Sequence, residues 1–536
     1  MLLRVAFFAL LLSPLSLHAA DWPRWGGRDD CNMVSDEKGL PATFTPGKKR
    51  PDGSGIDMAT TQNVKWVARL GTQTYGNPTI AAGRVYLGTN DEALQDPRVR
   101  STRGGLVMCL DAGTGKLLWQ LIVPRFQTND PTFNFDDMGL GVCSSPTVDG
   151  ERVYLTTNRC EVVCLNVRGL ADGNHGPFCD EGRFIAGPGR PPVTLRPTDA
   201  DILWKLDIIH DLDIWCQDAA NCSILVHGDF LYVCTSNGVD RSHIHVPRPL
   251  APSLIVVDKR TGRFVAGDDE RIGTRLFHGQ WSSPSLGVVN GRPLVFFGAG
   301  DGVLYAFETL SVMPAQPVKL TKAWSYDCNP PEYKFVRGRK VVYTDGDIRK
   351  HHGNNNDGTF VGPSEIIGTP VFYKNRVYVT TGQDPMHGRG VGMLSCIDAT
   401  KTGDVTTTGK VWSYPIGRSL SSPSIVDGLL YIADTFEGIY CFDAETGKRY
   451  WFHPTSSEIW GSTMVADGKV YVGTKKGMLV LAAGKVKKVL ANIHLGTPLY
   501  CTPVVANGVL YVASQRYLWA VQAGAETAVD FRQPHQ

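Results

Sequence analysis

The sequence predicts an all-β fold, an eight-bladed β-propeller of four-stranded antiparallel blades whose last blade is closed by an N-terminal strand. Two observations carry this. A hairpin phrase recurs eight times, and the closest copies stand 40 residues apart, the size of one propeller blade. The phrase is a small residue and Pro, a Gly a few residues later, then a β-branched or aromatic strand. Its clearest copies are Pro78 with Gly83 and Val85-Tyr86-Leu87, Pro146 with Gly150 and Val153-Tyr154-Leu155, and Pro423 with Gly428 and Leu430-Tyr431-Ile432. Others centre on Gly228, Gly291, Asn375, Gly468 and Gly508. Each reads as a hairpin, because Gly and Asn tolerate the positive φ of a tight turn.

A second phrase supplies the other two strands: apolar residues, Asp, then Thr-Gly-Lys and Trp, as in Cys109 to Trp119 and Cys441 to Trp451. The segment 64–70 precedes the first hairpin without a partner, while the last hairpin ends at Trp519-Ala520-Val521 without a fourth strand. Pairing the two ends closes the ring and removes an open edge. The expected layout is a signal peptide at 1–20, an N-terminal extension at 21–61, the propeller at 62–522 and a tail at 523–536. The leader rests on Arg4, an apolar run too short to span a bilayer, and the small residues Ala19 and Ala20. It implies a periplasmic or secreted protein that is not embedded in a membrane.

Composition agrees. The 536 residues are too many for one ordinary core, and 58 glycines with 10% aromatic and 42% hydrophobic residues exclude both disorder and collagen. A formal charge of +2, from 54 bases against 52 acids, gives no electrostatic reason to expect nucleic acid. The 13 cysteines divide by repeat slot: Cys109, Cys164, Cys396 and Cys441 share one third-strand position, and Cys143, Cys222, Cys234 and Cys501 fill inner-strand or second-strand places. These eight read as packing residues. Cys31, Cys160, Cys179, Cys216 and Cys328 lie outside the strands, where an exported protein can oxidise them.

The Asp-x-x-Thr-Gly-x-x-x-Trp phrase together with the Gly-x-Val-Tyr-Val hairpin resembles the pyrroloquinoline quinone (PQQ) repeat family, which includes quinoprotein alcohol dehydrogenases and outer-membrane-assembly propellers. That resemblance spans about Trp66 to Val521. It implies PQQ and Ca²⁺ at the axis if the chain is an enzyme of the dehydrogenase kind. The sequence departs from those enzymes in having no Cys-Cys pair and no Cys-x-x-Cys-His haem motif.

Long insertions (90–104, 121–142, 205–221, 236–252, 266–282, 325–367 and 383–391) belong to one rim, the usual place for a site on a rigid scaffold. The stretch 166–200 belongs to the opposite face. Residues just before the inner strands ring the axis: Cys143, Asp218, Asn221, His278, Gln280, Trp281, Glu365, Arg418, Trp460 and Tyr500. Ends of second strands add Asn158, Asn237, Asp240, Arg241, Asp384, His387, Asp434 and Glu437. Such carboxylates, amides, bases and flat rings suit either a planar cofactor over an oxygen-ligated cation, or a protein, peptide or carbohydrate ligand at the axial face. Asp218, Glu365, Asp384 and Asp434 are the candidate general bases for an alcohol- or sugar-oxidising quinoprotein. His243 and His245 have the spacing of a metal pair on an extended chain, with His278 or His387 as third ligand. The stretch 345–358 reads as a polar flexible loop, without EF-hand spacing.

Overall fold

The computed structural model describes residues 20–133, 136, 138–218, 222–336, 338–350 and 362–525. The eight repeats are eight antiparallel blades. Their inner strands are Thr79–Ala81, Thr147–Asp149, Leu225–His227, Ser285–Val289, Val371–Tyr373, Ser424–Val426, Thr463–Ala466 and Val504–Ala506. Blades 1 to 8 are numbered in that order. The eighth is completed by Val64–Arg69, which pairs antiparallel with Tyr517–Val521, as the unpartnered ends require. The hairpin turns use the expected chemistry: Asn290–Gly291, Asp427–Gly428 and Asp467–Gly468 each place two successive residues at positive φ.

Both recurring phrases have a packing cause. In the second, Asp111 accepts hydrogen bonds from the backbone N–H and hydroxyl of Thr114 and so tightens the turn. This brings Gly115, at φ +73°, beneath the indole of Trp66 from the preceding blade, where a Cβ would lie 2.6 Å from the ring. The indole N–H groups of Trp66, Trp119, Trp204, Trp324, Trp412 and Trp451 each donate to a backbone carbonyl of the next blade: Ala112, Val167, Lys259, Ala399, Ala444 and Gly484. The phrase is therefore a blade-to-blade clamp.

The small residue of the first phrase is Asn77, Ser145, Ser223, Ser283, Thr369, Ser422, Ser462 or Thr502. Each has a side chain that accepts hydrogen bonds, which matters more than its size. Backbone N–H groups of Asn77, Ser145, Ser223, Thr369, Ser422, Ser462 and Thr502 donate to the side-chain oxygens of Ser145, Ser223, Ser283, Ser422, Ser462, Thr502 and Asn77 at 2.8–3.1 Å. A belt of buried hydrogen bonds thus links neighbouring blades round the axis from Thr369 through Asn77 to Ser283, seven of the eight steps. Replacing Ser462 with alanine leaves the Ser422 N–H buried without its acceptor, and is expected to cost about 1–3 kcal/mol. Urea denaturation should show a lower midpoint at unchanged slope, with Ser462→Thr close to wild type.

Residues 20–37, read from sequence only as an extension, run past the hairpin ends of all eight inner strands. Trp22 pairs with Ile80, Pro23 accepts from Val148 N, Arg24 donates to Val226 O, and Asp29 and Asp30 accept from Leu286 N and Phe372 N. Asn32 pairs with Ile425, Val34–Ser35 adds a parallel strand beside Val465–Ala466, and Glu37 accepts from Gly508 N. Trp22, Cys31 and Met33 are buried along this thread. The thread lies against the inner strands at the end opposite the insertion-rich rim.

The 166–200 insertion sits between strands three and four of blade 2, as expected, and carries the short helix Glu181–Ala186. Two further insertions of this kind follow strand three in blades 4 and 5, and their short strands Val318–Lys319 and Gly403–Asp404 pair parallel with the outer strands of blades 3 and 4. Within the polar rim insertion the structure replaces the expected loose loop with a hairpin, Thr344–Asp345 against Ile348–Arg349, tied to blade 3 by the Arg271–Asp347 ion pair at 2.6 Å. Residues 351–358 of that insertion, like Asn221 and nearly all of the leader, lie outside the described residues.

Candidate functional site

Counting back two residues from each belt position gives the side chains at the axial mouth: Tyr75, Cys143, Trp281, Ile367, Leu420, Trp460 and Tyr500, with Asn221 outside the described residues. Cys143, Trp281, Trp460 and Tyr500 were expected there. Tyr75, Ile367 and Leu420 were missed, although their fixed offset from the belt slot was the signal that would have found them. On the side of blades 7, 8 and 1 the rings of Trp460, Tyr500 and Tyr75 are stacked. Trp460 and Tyr500 have centroids 4.3 Å apart at 20°, and Tyr75 lies 6.0 Å from each at 21° and 4°.

On the side of blades 3 to 5 the mouth is polar. His278 stands at its centre, stacked on His243 at 4.8 Å and edge-on to His387 at 5.1 Å and Trp281 at 5.2 Å. The Gln217 amide nitrogen lies 3.0 Å from His278 Nε2. An amide N–H can only donate, so Nε2 accepts and the imidazole proton sits on Nδ1, 4.0 Å from Glu365 Oε1. Burial, then the His387 and His243 rings, hold the His278 pKa well below its ordinary value. Burial, then the Asp384 carboxylate, push Glu365 well above its own. Both shifts favour the uncharged forms, and the 4.0 Å separation is too long for a hydrogen bond.

Three loops are pinned here by arginines. Arg349 donates to the carbonyls of Ile244 (2.6 Å), His243, Leu276 and Phe277; burial lowers its pKa to about 10, which leaves it charged. Arg418 donates to Tyr333 Oη at 2.9 Å and to the carbonyls of His387 and Gly388 at 2.8 and 3.1 Å. Gln280 spans from the Asn237 carbonyl to Ser253 Oγ at 3.0 and 2.7 Å. Several buried atoms around this cluster have no hydrogen-bonding partner among the described residues: Gln217 Oε1, Asn237 Oδ1, His278 Nδ1, Gln280 Oε1, Trp281 Nε1, Glu365 Oε1 and Gln383 Oε1. Such atoms are few in a folded domain, and their concentration here marks a place built for a ligand.

Other expected residues are taken up in local hydrogen bonds, Asp384 and Asp218 still beside the cluster through Glu365 and Gln217. Asp434 accepts from the N–H groups of Gly417, Phe436, Glu437 and Gly438 and from Tyr440 Oη, so its oxygens are spent on holding a turn. Asp384 caps the 385–387 turn through Met386 N at 2.7 Å, and Asp218, at φ +52°, accepts from Gln217 at 3.2 Å. Glu437 pairs with Arg389, away from the axis, and Asn158 contacts Asp136. Arg241 is exposed, as is His245, while His243 packs on His278 instead of beside His245. Among the described residues no group of three or more His, Cys, Asp and Glu side chains is placed to hold a metal ion.

Cys160 and Cys216 form a disulfide across 56 residues, next to Gln217 and to the bridge between Cys216 and Asn237. Of the other loop cysteines, Cys179 is exposed and free, whereas Cys31 and Cys328 are buried and free. All eight cysteines assigned to packing are buried.

A protein-family model described as outer membrane protein assembly factor BamB matches residues 57–169 and 172–453, well over half of the chain. The chain belongs to the PQQ-repeat propeller family. A curated relative of this PQQ-repeat propeller, a quinohemoprotein alcohol dehydrogenase from Comamonas testosteroni, is 28% identical over 100 residues; the match spans 16% of this chain and only 14% of the relative. The solved quinohemoprotein alcohol dehydrogenase of Comamonas testosteroni superimposes with a TM-score of 0.52 at 12% identity, covering 96% of this chain and 82% of that one. A europium-containing methanol dehydrogenase gives 0.52 at 13%, covering 92% and 89%. At these identities the likeness is one of fold. No helix among the described residues of the propeller is long and apolar enough to cross a membrane.

The polar side of the axial mouth of this PQQ-repeat propeller, taken by itself, is not arranged for a quinone over a divalent cation. The quinone's carboxylates call for free cationic side chains, but Arg349 and Arg418 are directed at carbonyls and a hydroxyl of the chain itself. Its flat rings call for open aromatic faces, but on the polar side the imidazoles and Trp281 pack against one another.

Proposed function

We propose that this chain is an exported, non-catalytic propeller whose insertion-rich face binds another protein or a peptide. The observation that carries this is an apolar crest on that face. Phe335 (53% exposed), Val342 (53%) and Ile348 (73%) project from the 328–350 arm, beside Ile244 (41%) and Met386 (76%) on neighbouring loops. Arg349 ties the arm to the Ile244 loop through that residue's carbonyl. Grouped apolar exposure of this kind on a rigid scaffold is the mark of an interaction surface. Arg339 and Lys340 are exposed on the same arm, so the crest suits a segment carrying both acidic and apolar residues. Export is supported by the leader-like first twenty residues and by a disulfide, which persists in oxidising compartments. The family model's description as an assembly factor is of the same kind.

Panning a random peptide library against the purified protein tests this reading. Enriched peptides are expected to combine acidic and apolar residues, and to bind a Val342→Asp/Ile348→Asp variant at least about tenfold more weakly, a loss of ~1.4 kcal/mol. No enrichment, or equal binding by the variant, would overturn it.

A quinoprotein dehydrogenase is the second reading, favoured by the buried Glu365 with its raised pKa among side-chain oxygens. Asp218, Glu365 and Asp384 would be its candidate bases. Protein incubated with PQQ and Ca²⁺ should then keep a quinone absorbance through gel filtration and reduce a dye with alcohols or aldoses. A protein that loses the quinone refutes it.

A further inference from the structure

We propose that the axial mouth is a carbohydrate site, separate from the apolar crest, that takes the non-reducing or reducing end of a neutral saccharide chain. The first ground is the stack of Tyr75, Trp460 and Tyr500, three near-parallel rings contributed by the same slot of three consecutive blades. All three are only partly buried, although they stand two residues from a fully buried belt. A pyranose presents one face of C–H groups carrying slight positive charge, which complements the negative face of an aromatic ring.

The second ground is the chemistry round these rings. At the edge of the platform, Glu458 accepts from Trp460 Nε1 at 3.3 Å and from Lys475 Nζ at 2.8 Å, and Gln73 accepts from Tyr75 Oη at 3.1 Å. A fixed carboxylate, ammonium and amide at a ring's rim are donors and acceptors for hydroxyl groups. On the facing wall, Gln217 Oε1, Asn237 Oδ1, Gln280 Oε1 and Glu365 Oε1 are buried oxygens without partners among the described residues, and Trp281 Nε1 is a buried donor without one there. Gln217, Asn237 and Gln280 are at least nine-tenths buried, and Glu365 is fully so. The set is mainly of acceptors. It suits a ligand rich in hydroxyl donors better than an anion, and an uncharged one better than a cation, given Arg349 and Arg418 nearby.

The third ground is the far end of the axis. Residues 20–37 lie against all eight inner strands at that end, so the insertion-rich face is the proposed approach and a saccharide would enter it by its end. The Cys143 thiol sits between the two walls: burial first, then Asp136, Cys501 and Asp218, push its pKa well above the ordinary value, so it stays a neutral wall atom.

The test uses the full mature chain with hexasaccharides of β-1,4-glucose, α-1,4-glucose, β-1,4-N-acetylglucosamine and β-1,4-mannose, read by calorimetry and tryptophan fluorescence. At least one is expected to bind with a Kd below about 1 mM and to perturb the fluorescence, and Trp460→Ala and Tyr500→Ala should each weaken it about tenfold. Trp460→Phe, which keeps a ring in the slot, should stay within about threefold. The Val342→Asp/Ile348→Asp crest variant should bind the sugar as wild type does, so failure of this site and of the crest are distinguishable. The proposal is overturned if none of the four binds, if Trp460→Ala with a wild-type melting curve binds equally well, or if PQQ alone occupies the mouth in a Trp460-dependent way.

Discussion

Replacing Asn32 by alanine is expected to lower the unfolding free energy by about 2–6 kcal/mol, because two buried backbone groups lose their partners at once. The Asn32 side chain behaves like one more residue of a β-ladder. Its Nδ2 donates to Ile425 O and its Oδ1 accepts from Ile425 N, both at 2.8 Å, and the side chain is 3% exposed. Alanine removes both interactions and leaves the edge of the blade 6 inner strand facing the thread unsatisfied. The sign follows from burial: water cannot reach the orphaned groups. Urea denaturation gives the magnitude, and amide hydrogen exchange gives the location, since the Ile425 amide should lose protection before those of blade 2. An unchanged midpoint with Ile425 still protected would show that residues 20–37 lie on the propeller without holding it.

Reduction of the Cys160–Cys216 disulfide is expected to cost about 4 kcal/mol in the chain-entropy account of a closed loop of this length. The bond spans 56 residues and joins the connection between strands two and three of blade 2 to the segment leading into blade 3. Both sulfurs are buried, and both lie against the Thr235 carbonyl. The effect should extend beyond stability, because Gln217, which orients His278, follows Cys216 directly in the chain. Denaturation with and without a thiol reductant should therefore give different midpoints for the wild type and a single, lower one for Cys160→Ala/Cys216→Ala. If the reductant leaves the wild-type midpoint unchanged, the bond has no stabilising role.

Much of the fold was legible because a propeller is made of local hairpins repeated at fixed spacing. Gly291 and Gly428 announce turns that two successive positive-φ residues require, and Trp119 and Trp451 announce a clamp between neighbouring blades. The unpaired strand at 64–70 announced the closure for the same reason: a missing member of a repeat is visible as an absence in a pattern. Cys109 and Cys441 could be recognised as packing residues from their slot alone, and both are buried. The belt was only half legible. The slot before proline was read as small, whereas Asn77 and Thr502 show that the requirement is an oxygen that can accept a hydrogen bond.

The site was far less legible. Sequence reasoning listed His243, His278 and His387 but paired His243 with His245, its neighbour in the chain, while the structure stacks it on His278 from the next blade boundary. It counted Asp434 and Glu365 alike as candidate bases, yet one is enclosed by five hydrogen bonds and the other retains an unpartnered oxygen. By itself the sequence determined the blade number, the order of the strands, the ring closure and which cysteines are inert, all of which follow from local patterning repeated in register. Only the tertiary structure decided that residues 20–37 thread past all eight inner strands, that Cys160 meets Cys216, and that aromatic and polar walls face each other across the mouth. Those outcomes depend on insertions of unequal length converging from different blades, and no periodicity encodes where such loops meet.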